Sequence, residues 1–145
     1  MNAAEGSDPQ PVLPAPDELT RFFWDGAGRG RLMAQRCSAC GRYQHPPRPV
    51  CPACHSFSLE PAEMSGRAVL YSWTVGSQAF HPWFESRLPY LLAVVELEEQ
   101  RNLRLVTNLV EVEEADVEIG MPLEVTFEHL APGVDLPVFR PAGVR

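Results

Sequence analysis

Two Cys-x-x-Cys units, Cys37-Ser-Ala-Cys40 and Cys51-Pro-Ala-Cys54, stand ten residues apart and account for all four cysteines of the 145-residue chain. No other feature constrains the fold as much, because two short turns so spaced can present four sulfurs to one tetrahedral ion at about 2.3 Å each. Gly41 follows the first pair, as suits a backbone that must turn left-handed beside a metal, and Pro52 stiffens the second. Reducing compartments disfavour disulfides, so in a cytoplasmic chain such pairs read as metal-binding or redox-active. Cys37, Cys40, Cys51 and Cys54 are therefore the expected ligands of one structural Zn²⁺, since four thiolates close the coordination shell and leave no place for a catalytic water. His55 stands where a second glycine is expected and reads as a turn residue. Iron in the same cage would make a rubredoxin-like electron carrier, red where zinc is colourless.

A cytoplasmic chain that does not span a membrane is expected on two grounds. No apolar run approaches the roughly 18 residues of a membrane helix, and the N-terminus has no basic stretch leading into an apolar one. The net charge of -7 hides an uneven distribution. Residues 21–59 hold six arginines against Asp25 alone, while residues 60–145 hold six arginines against fourteen acids, and the chain has no lysine. Four thiolates around one Zn²⁺ leave the first stretch positive, so it can meet an anion.

The texture changes along the chain, predicting a mainly β protein with a short N-terminal helix. Residues 1–16, with Pro9, Pro11, Pro14 and Pro16 and few large apolar groups, read as a disordered tail. Asp17 is a candidate N-cap, and Leu19, Phe22 and Phe23 at i, i+3 and i+4 predict an amphipathic helix to Gly26, with a turn to residue 30. Residues 31–62 form the zinc ribbon, entered by a strand over Arg31 to Arg36. Residues 63–141 carry five β-rich runs: Ala68 to Val75, Tyr90 to Leu97, Leu103 to Val110, Leu123 to His129 and a brief Leu136 to Arg140. Five strands suit a small barrel, with residues 142–145 as a tail. Leu123, Val125 and Phe127 alternate with Glu124, Thr126 and Glu128, one face inward and one in water. Tyr90 to Val95 is continuously apolar and predicts a central strand covered on both faces. Residues 76–89 read as a long loop carrying Phe80, His81, Trp83 and Phe84, and such loops usually serve function.

No catalytic constellation is expected. Every cysteine belongs to the knuckles and no Gly-x-Ser-x-Gly elbow is present, so His81 reads as a loop contact. Glu98-Glu99 and Glu113-Glu114 read as solvated faces. A nucleic-acid-binding module is the rival class, because barrels and zinc ribbons can stack bases in a positive groove; fourteen acids over the barrel half argue against it. A self-sufficient thioesterase would need a base and a water position that the sequence does not offer.

Several blocks carry a resemblance. The ribbon run from Gly30 through Cys37-Ser-Ala-Cys40-Gly41-Arg42 to His45-Pro46-Pro47-Arg48-Pro49-Val50-Cys51-Pro52-Ala53-Cys54 is followed by Ser65 to Val75, Pro89 to Leu97, Leu105 to Leu109, Ile119 to Val125 and Leu136 to Pro141. This ordered set, spanning residues 17–141, resembles a bacterial and archaeal family that couples a rubredoxin-like zinc ribbon to an OB-fold and associates with acyl-CoA enzymes. The one departure is His55, where the family commonly has glycine. The resemblance implies a five-stranded OB-fold barrel after the Cys₄ ribbon. It also implies a non-catalytic subunit that partners a thiolase or thiolase-like aldolase, with acyl-CoA as the associated ligand, in steroid or lipid side-chain degradation. CoA phosphates and adenine would suit Arg36, Arg42, Arg48 and Arg67 beside Trp73, Phe80, His81, Trp83 and Phe84, which are the expected acyl-CoA or partner contacts.

Overall fold

A computed structural model describes residues 7–143. The tails expected over 1–16 and 142–145 fall partly outside it, at 1–6 and 144–145. Residues 7–16 form neither helix nor strand. One short helix, α1 (Arg21–Ala27), precedes two β units. The first is a three-stranded sheet of β1 (Met33–Cys37), β2 (Tyr43–Gln44) and β3 (Leu59–Glu63) in the order β2-β1-β3. The second is a closed barrel of β4 (Arg67–Gly76), β5 (Tyr90–Leu97), β6 (Arg104–Leu109), β7 (Pro122–Ala131) and β8 (Val134–Pro141), in the order β4-β5-β6-β8-β7. Among the described residues no helix is long and apolar enough to cross a membrane.

The five expected barrel strands are present, and the last is longer than its sequence suggests. Pro137 made Leu136 to Arg140 look brief, because proline cannot donate to a ladder. It is tolerated because β6 and β8 form ladder pairs only at Leu109 and Phe139, so no β6 ladder needs an N–H at Pro137, whose carbonyl instead accepts from the Thr107 hydroxyl of β6 (3.0 Å). Phe139 closes the barrel, pairing with Val125 of β7 as well as Leu109, and its side chain is fully buried with Leu70, Val95, Leu103 and Leu123.

The expected helix start and the expected burial of β5 need correction. The helix starts four residues after Asp17. The Asp17 Oδ1 accepts from the backbone N–H groups of Leu19 (3.0 Å) and Thr20 (2.8 Å) and from the Thr20 hydroxyl (2.9 Å), which locks a turn ahead of α1. Asp17 thus caps the turn, and Thr20, the N-cap of α1, makes no side-chain cap bond. Strand β5 is not covered on both faces. Ala93, Val95 and Leu97 point into the barrel, while Leu92 is 37% exposed and joins exposed Val69, Tyr71 and Val106 on the outside of β4, β5 and β6. In a closed barrel each strand turns one face outward, and on this one the Arg104 guanidinium lies 3.6 Å over the Tyr71 ring while Leu92 and Val106 stay exposed.

The β5–β6 turn fastens the ribbon to the barrel. Gln100 accepts from the Tyr43 N–H (2.8 Å) and donates to the Tyr43 carbonyl (2.8 Å), so its amide stands in for a neighbouring strand along edge strand β2. Glu99 accepts from the Ser65 N–H (2.7 Å) at the junction of the two units, and Glu98 pairs with Arg67 (3.4 Å). The Glu98-Glu99 pair therefore grips the junction rather than merely facing solvent. Helix α1 lies against β1 and β8. Gly26 makes its close approach possible, since a Cβ there would run into the Met33 side chain.

Candidate functional site

The two knuckles repeat one hydrogen-bond plan. Cys37 N–H donates to the Arg42 carbonyl (2.9 Å) and Gly41 N–H to the Cys37 carbonyl (2.7 Å); Cys51 N–H donates to the Ser56 carbonyl (2.9 Å) and His55 N–H to the Cys51 carbonyl (2.9 Å). Gly41 and His55 are thus equivalent positions, and both are left-handed, with φ of 79° and 63°. His55 serves the second turn through its backbone.

The four sulfurs converge. Cys37 Sγ lies 3.6 Å from Cys54 Sγ and Cys40 Sγ lies 3.7 Å from Cys51 Sγ, with all four within 4.8 Å of one another. A tetrahedron with bonds of about 2.3 Å has edges of about 3.8 Å, so the cage fits a thiolate-bound zinc-sized ion. Cys37 and Cys51 are fully buried, whereas Cys40 and Cys54 reach the surface. The Cys40 N–H, foremost among several donors, pulls the Cys37 thiol down to about 6, and the Cys54 N–H likewise lowers Cys51. At Cys54 the Ser56 N–H works downward, but burial and the three neighbouring sulfurs outweigh it and push the thiol up to about 12. Four thiolates this close need a cation to coexist.

A buried glutamine pair holds the loop between the knuckles. Gln35 Oε1 accepts from Gln44 Nε2 (2.7 Å) and the Arg48 N–H (2.8 Å), while Gln35 Nε2 donates to the Arg48 carbonyl (2.9 Å). Sequence reasoning missed both residues, because nothing local marks a glutamine as buried.

The residues expected to contact acyl-CoA or a partner divide into separate groups. Arg36, Arg42 and Arg48 lie on the ribbon, where Arg36 sits 5.7 Å over the Tyr43 ring and 3.8 Å from Glu60. Arg67 begins β4, at the barrel end held by Glu98, and Trp73 is half-buried in that strand against the core. Phe80 is 85% exposed in the loop. His81 Nδ1 accepts from the Trp83 N–H (3.2 Å) and caps a 3₁₀ turn, Pro82–Arg87, within the aromatic loop. Of these residues, Trp83 and Phe84, edge to face at 5.0 Å, line a cleft at the start of β5 that the others do not line.

That cleft, of ≈ 670 Å³, opens where β5 begins and β6 ends. Trp24 of α1 and the tail residues Val12 and Pro14 wall it together with Trp83 and Phe84, and Tyr90, Leu109 and Leu136 contribute from the strands. The Arg87 guanidinium lies 3.7 Å over the Trp83 ring and pairs with Glu128. Arg87 and Glu128 were not foreseen. The Arg87–Glu128 pair joins segments forty-one residues apart, and no local pattern announces it.

Comparison with known proteins follows the two structural units. Residues 24–60 match the family model described as the ChsH2 rubredoxin-like zinc ribbon domain, and residues 62–128 match that of the ChsH2 C-terminal OB-fold domain. A probable enoyl-CoA hydratase alpha subunit of Thermomonospora curvata is 43% identical over 129 residues, covering 89% of this chain. The match spans only 39% of that relative's length. A DUF35 domain-containing scaffold protein of Methanocaldococcus jannaschii is 34% identical over 68% of this chain and 69% of its own. Among solved structures, one described as an Ltp2-ChsH2(DUF35) aldolase superposes with a TM-score of 0.80 at 43% identity, covering 89% of this chain and 98% of the matched chain.

Proposed function

Because this chain belongs to the ChsH2 family of DUF35 proteins, in which a rubredoxin-like zinc ribbon is joined to an OB-fold, we propose that it is the non-catalytic subunit of an acyl-CoA enzyme. It binds a thiolase or thiolase-like aldolase and helps to shape that enzyme's substrate channel, the acyl group being a steroid or other lipid side chain handled in the cytoplasm. The observation that carries this reading is the similarity, over 98% of the matched chain, to a structure described as an Ltp2-ChsH2(DUF35) aldolase. Cys37, Cys40, Cys51 and Cys54 would hold one Zn²⁺, which would supply a closed, purely architectural coordination site.

The chain's own groups support the division of labour. Each histidine has structural work: His45 packs on Phe23, His55 serves a knuckle, His81 caps a turn, and His129 meets Asp135 at 3.1 Å. The exposed apolar face of Val69, Tyr71, Leu92 and Val106 is the kind of surface a partner covers.

The test is affinity capture of the tagged full-length chain from its native host, with mass spectrometry of what is retained, metal analysis, and CoA-ester turnover with and without the partner. We expect a thiolase-like or aldolase subunit, one zinc per chain, and turnover only in the complex. The double variant L92E/V106E should keep zinc and fold but lose the partner. Turnover by the lone chain at the rate of the complex refutes the reading, as does salt-dependent binding of single-stranded DNA or RNA in place of a protein partner.

A further inference from the structure

An acyl-CoA ester has two chemically opposite ends, a nucleotide carrying phosphates and an acyl group that is mostly hydrocarbon. A phosphate site needs cations or N–H groups free to donate. The ≈ 670 Å³ cleft offers no free cation among its described lining residues. Its arginine, Arg87, is committed to Glu128 and to the Trp83 face. Its remaining charges, Glu111 and Glu128, are anions that would repel phosphate, and Glu111 is already engaged by Arg140 at 3.1 Å.

Of the other polar lining groups, Asn108 spends its amide N–H on the Leu91 carbonyl (3.1 Å), and most of the rest of the wall is apolar. Trp24 and Trp83 provide flat aromatic surface, and Leu109, Leu136 and, from the N-terminal segment, Val12 and Pro14 add aliphatic lining. The volume lies in the range of small-molecule sites, roughly 300 to 1,000 Å³, which are mostly apolar with a few fixed polar groups. Arg87 and Glu128 are such groups, neutralising one another at the rim.

Resting on the acyl-CoA subunit reading, we propose that this cleft seats the uncharged acyl end of the ester and excludes its nucleotide, with the segment around Val12 and Pro14 serving as one wall of the site. Arg36, Arg42, Arg48 and Arg67 do not line this pocket.

The test uses the zinc-loaded full-length chain and, in parallel, the complex captured with its partner. Titration calorimetry is run with two probes: 1-decanol for the apolar end and coenzyme A for the nucleotide end. The lone chain should bind decanol saturably and give no heat with coenzyme A. W83A and L130R, both on the cleft wall, should each raise the decanol Kd about tenfold, and deletion of residues 1–16 should raise it too. Coenzyme A binding to the lone chain without decanol binding overturns the proposal, as does failure of decanol to bind either sample. Decanol binding unchanged in W83A and L130R also overturns it, because the probe would then sit on the outer apolar face. Partner capture by the wild-type chain is scored separately. Decanol failure with capture intact sinks this inference alone, whereas loss of capture sinks the subunit reading.

Discussion

Replacing Gln100 by alanine removes the two hydrogen bonds by which one side chain ties the ribbon to the barrel. Both are 2.8 Å long and half-buried, and both end on the backbone of Tyr43, in an edge strand only two residues long. A hydrogen bond contributes about 0.5 to 1.5 kcal/mol net, so the pair is worth about 1 to 3 kcal/mol. The upper half of that range applies if the Tyr43 N–H and carbonyl are left dry. For a chain of this size 1 kcal/mol shifts Tm by about 3 °C, which sets the expected fall at about 6 °C. Q100N is the informative control, because it keeps the amide but is one methylene too short to span the gap; it should behave like Q100A. The assay is thermal melting of the zinc-loaded protein combined with hydrogen exchange at the Tyr43 amide. Exchange there should accelerate in both variants while the amides of β5 and β6 keep their protection. A Tm shift below about 2 °C together with unchanged Tyr43 exchange would refute the idea that this turn holds the two units in register.

Two further substitutions probe the ribbon. At His55, held at φ 63°, glycine relieves about 1 kcal/mol of left-handed backbone cost and loses a similar amount through its freer unfolded chain. H55G should therefore keep its zinc affinity and its urea midpoint or raise the midpoint slightly, and a tenfold loss of affinity in chelator competition would make His55 a ligand after all. His45 is partly buried against the Phe23 ring at 5.2 Å, and that burial holds its pKa below the ordinary histidine value. The unfolded chain then takes up a proton first as pH falls through about 6.5, so stability drops from there towards the lower folded pKa. H45F should flatten the fall in urea midpoint between pH 7.5 and 5.5, and parallel curves for the two proteins would contradict this.

What was legible in the sequence was local or periodic. The knuckles show because four ligands at fixed spacing are a local code, and the barrel strands show because their inner and outer residues alternate or their apolar runs are bounded by turns. Strand β2 is too short to leave a pattern, and β3 carries Glu60, Pro61 and Glu63, which are poor strand formers. Polar residues that work in the interior, Gln35, Gln44, Glu99 and Gln100, are chemically the same as solvated ones; only the partner supplied by the fold distinguishes them. The apolar run of β5 misled for the same reason. Leu92 and Val94 look like core residues, but a hydrophobic outer face is also what a surface built for another protein displays.

The metal cage and the cleft occupy different units, yet a short line of contacts joins them. Gly26 of α1 lies directly on Met33 of β1, the strand that ends at Cys37. Phe23 packs on His45 in the inter-knuckle segment and meets Trp24 edge to face at 5.0 Å, and Trp24 walls the cleft. Helix α1 has seven residues, too few to be stable without tertiary support, so its position depends on the ribbon as well as on β8, the two surfaces it lies against. Removing zinc should consequently disturb the cleft. In the double variant W73F/W83F, Trp24 is the remaining tryptophan, and its emission should move to longer wavelength when a chelator strips the metal. If the four thiols become reactive while Trp24 emission stays fixed, the ribbon does not position the helix and the cleft is built by the barrel alone.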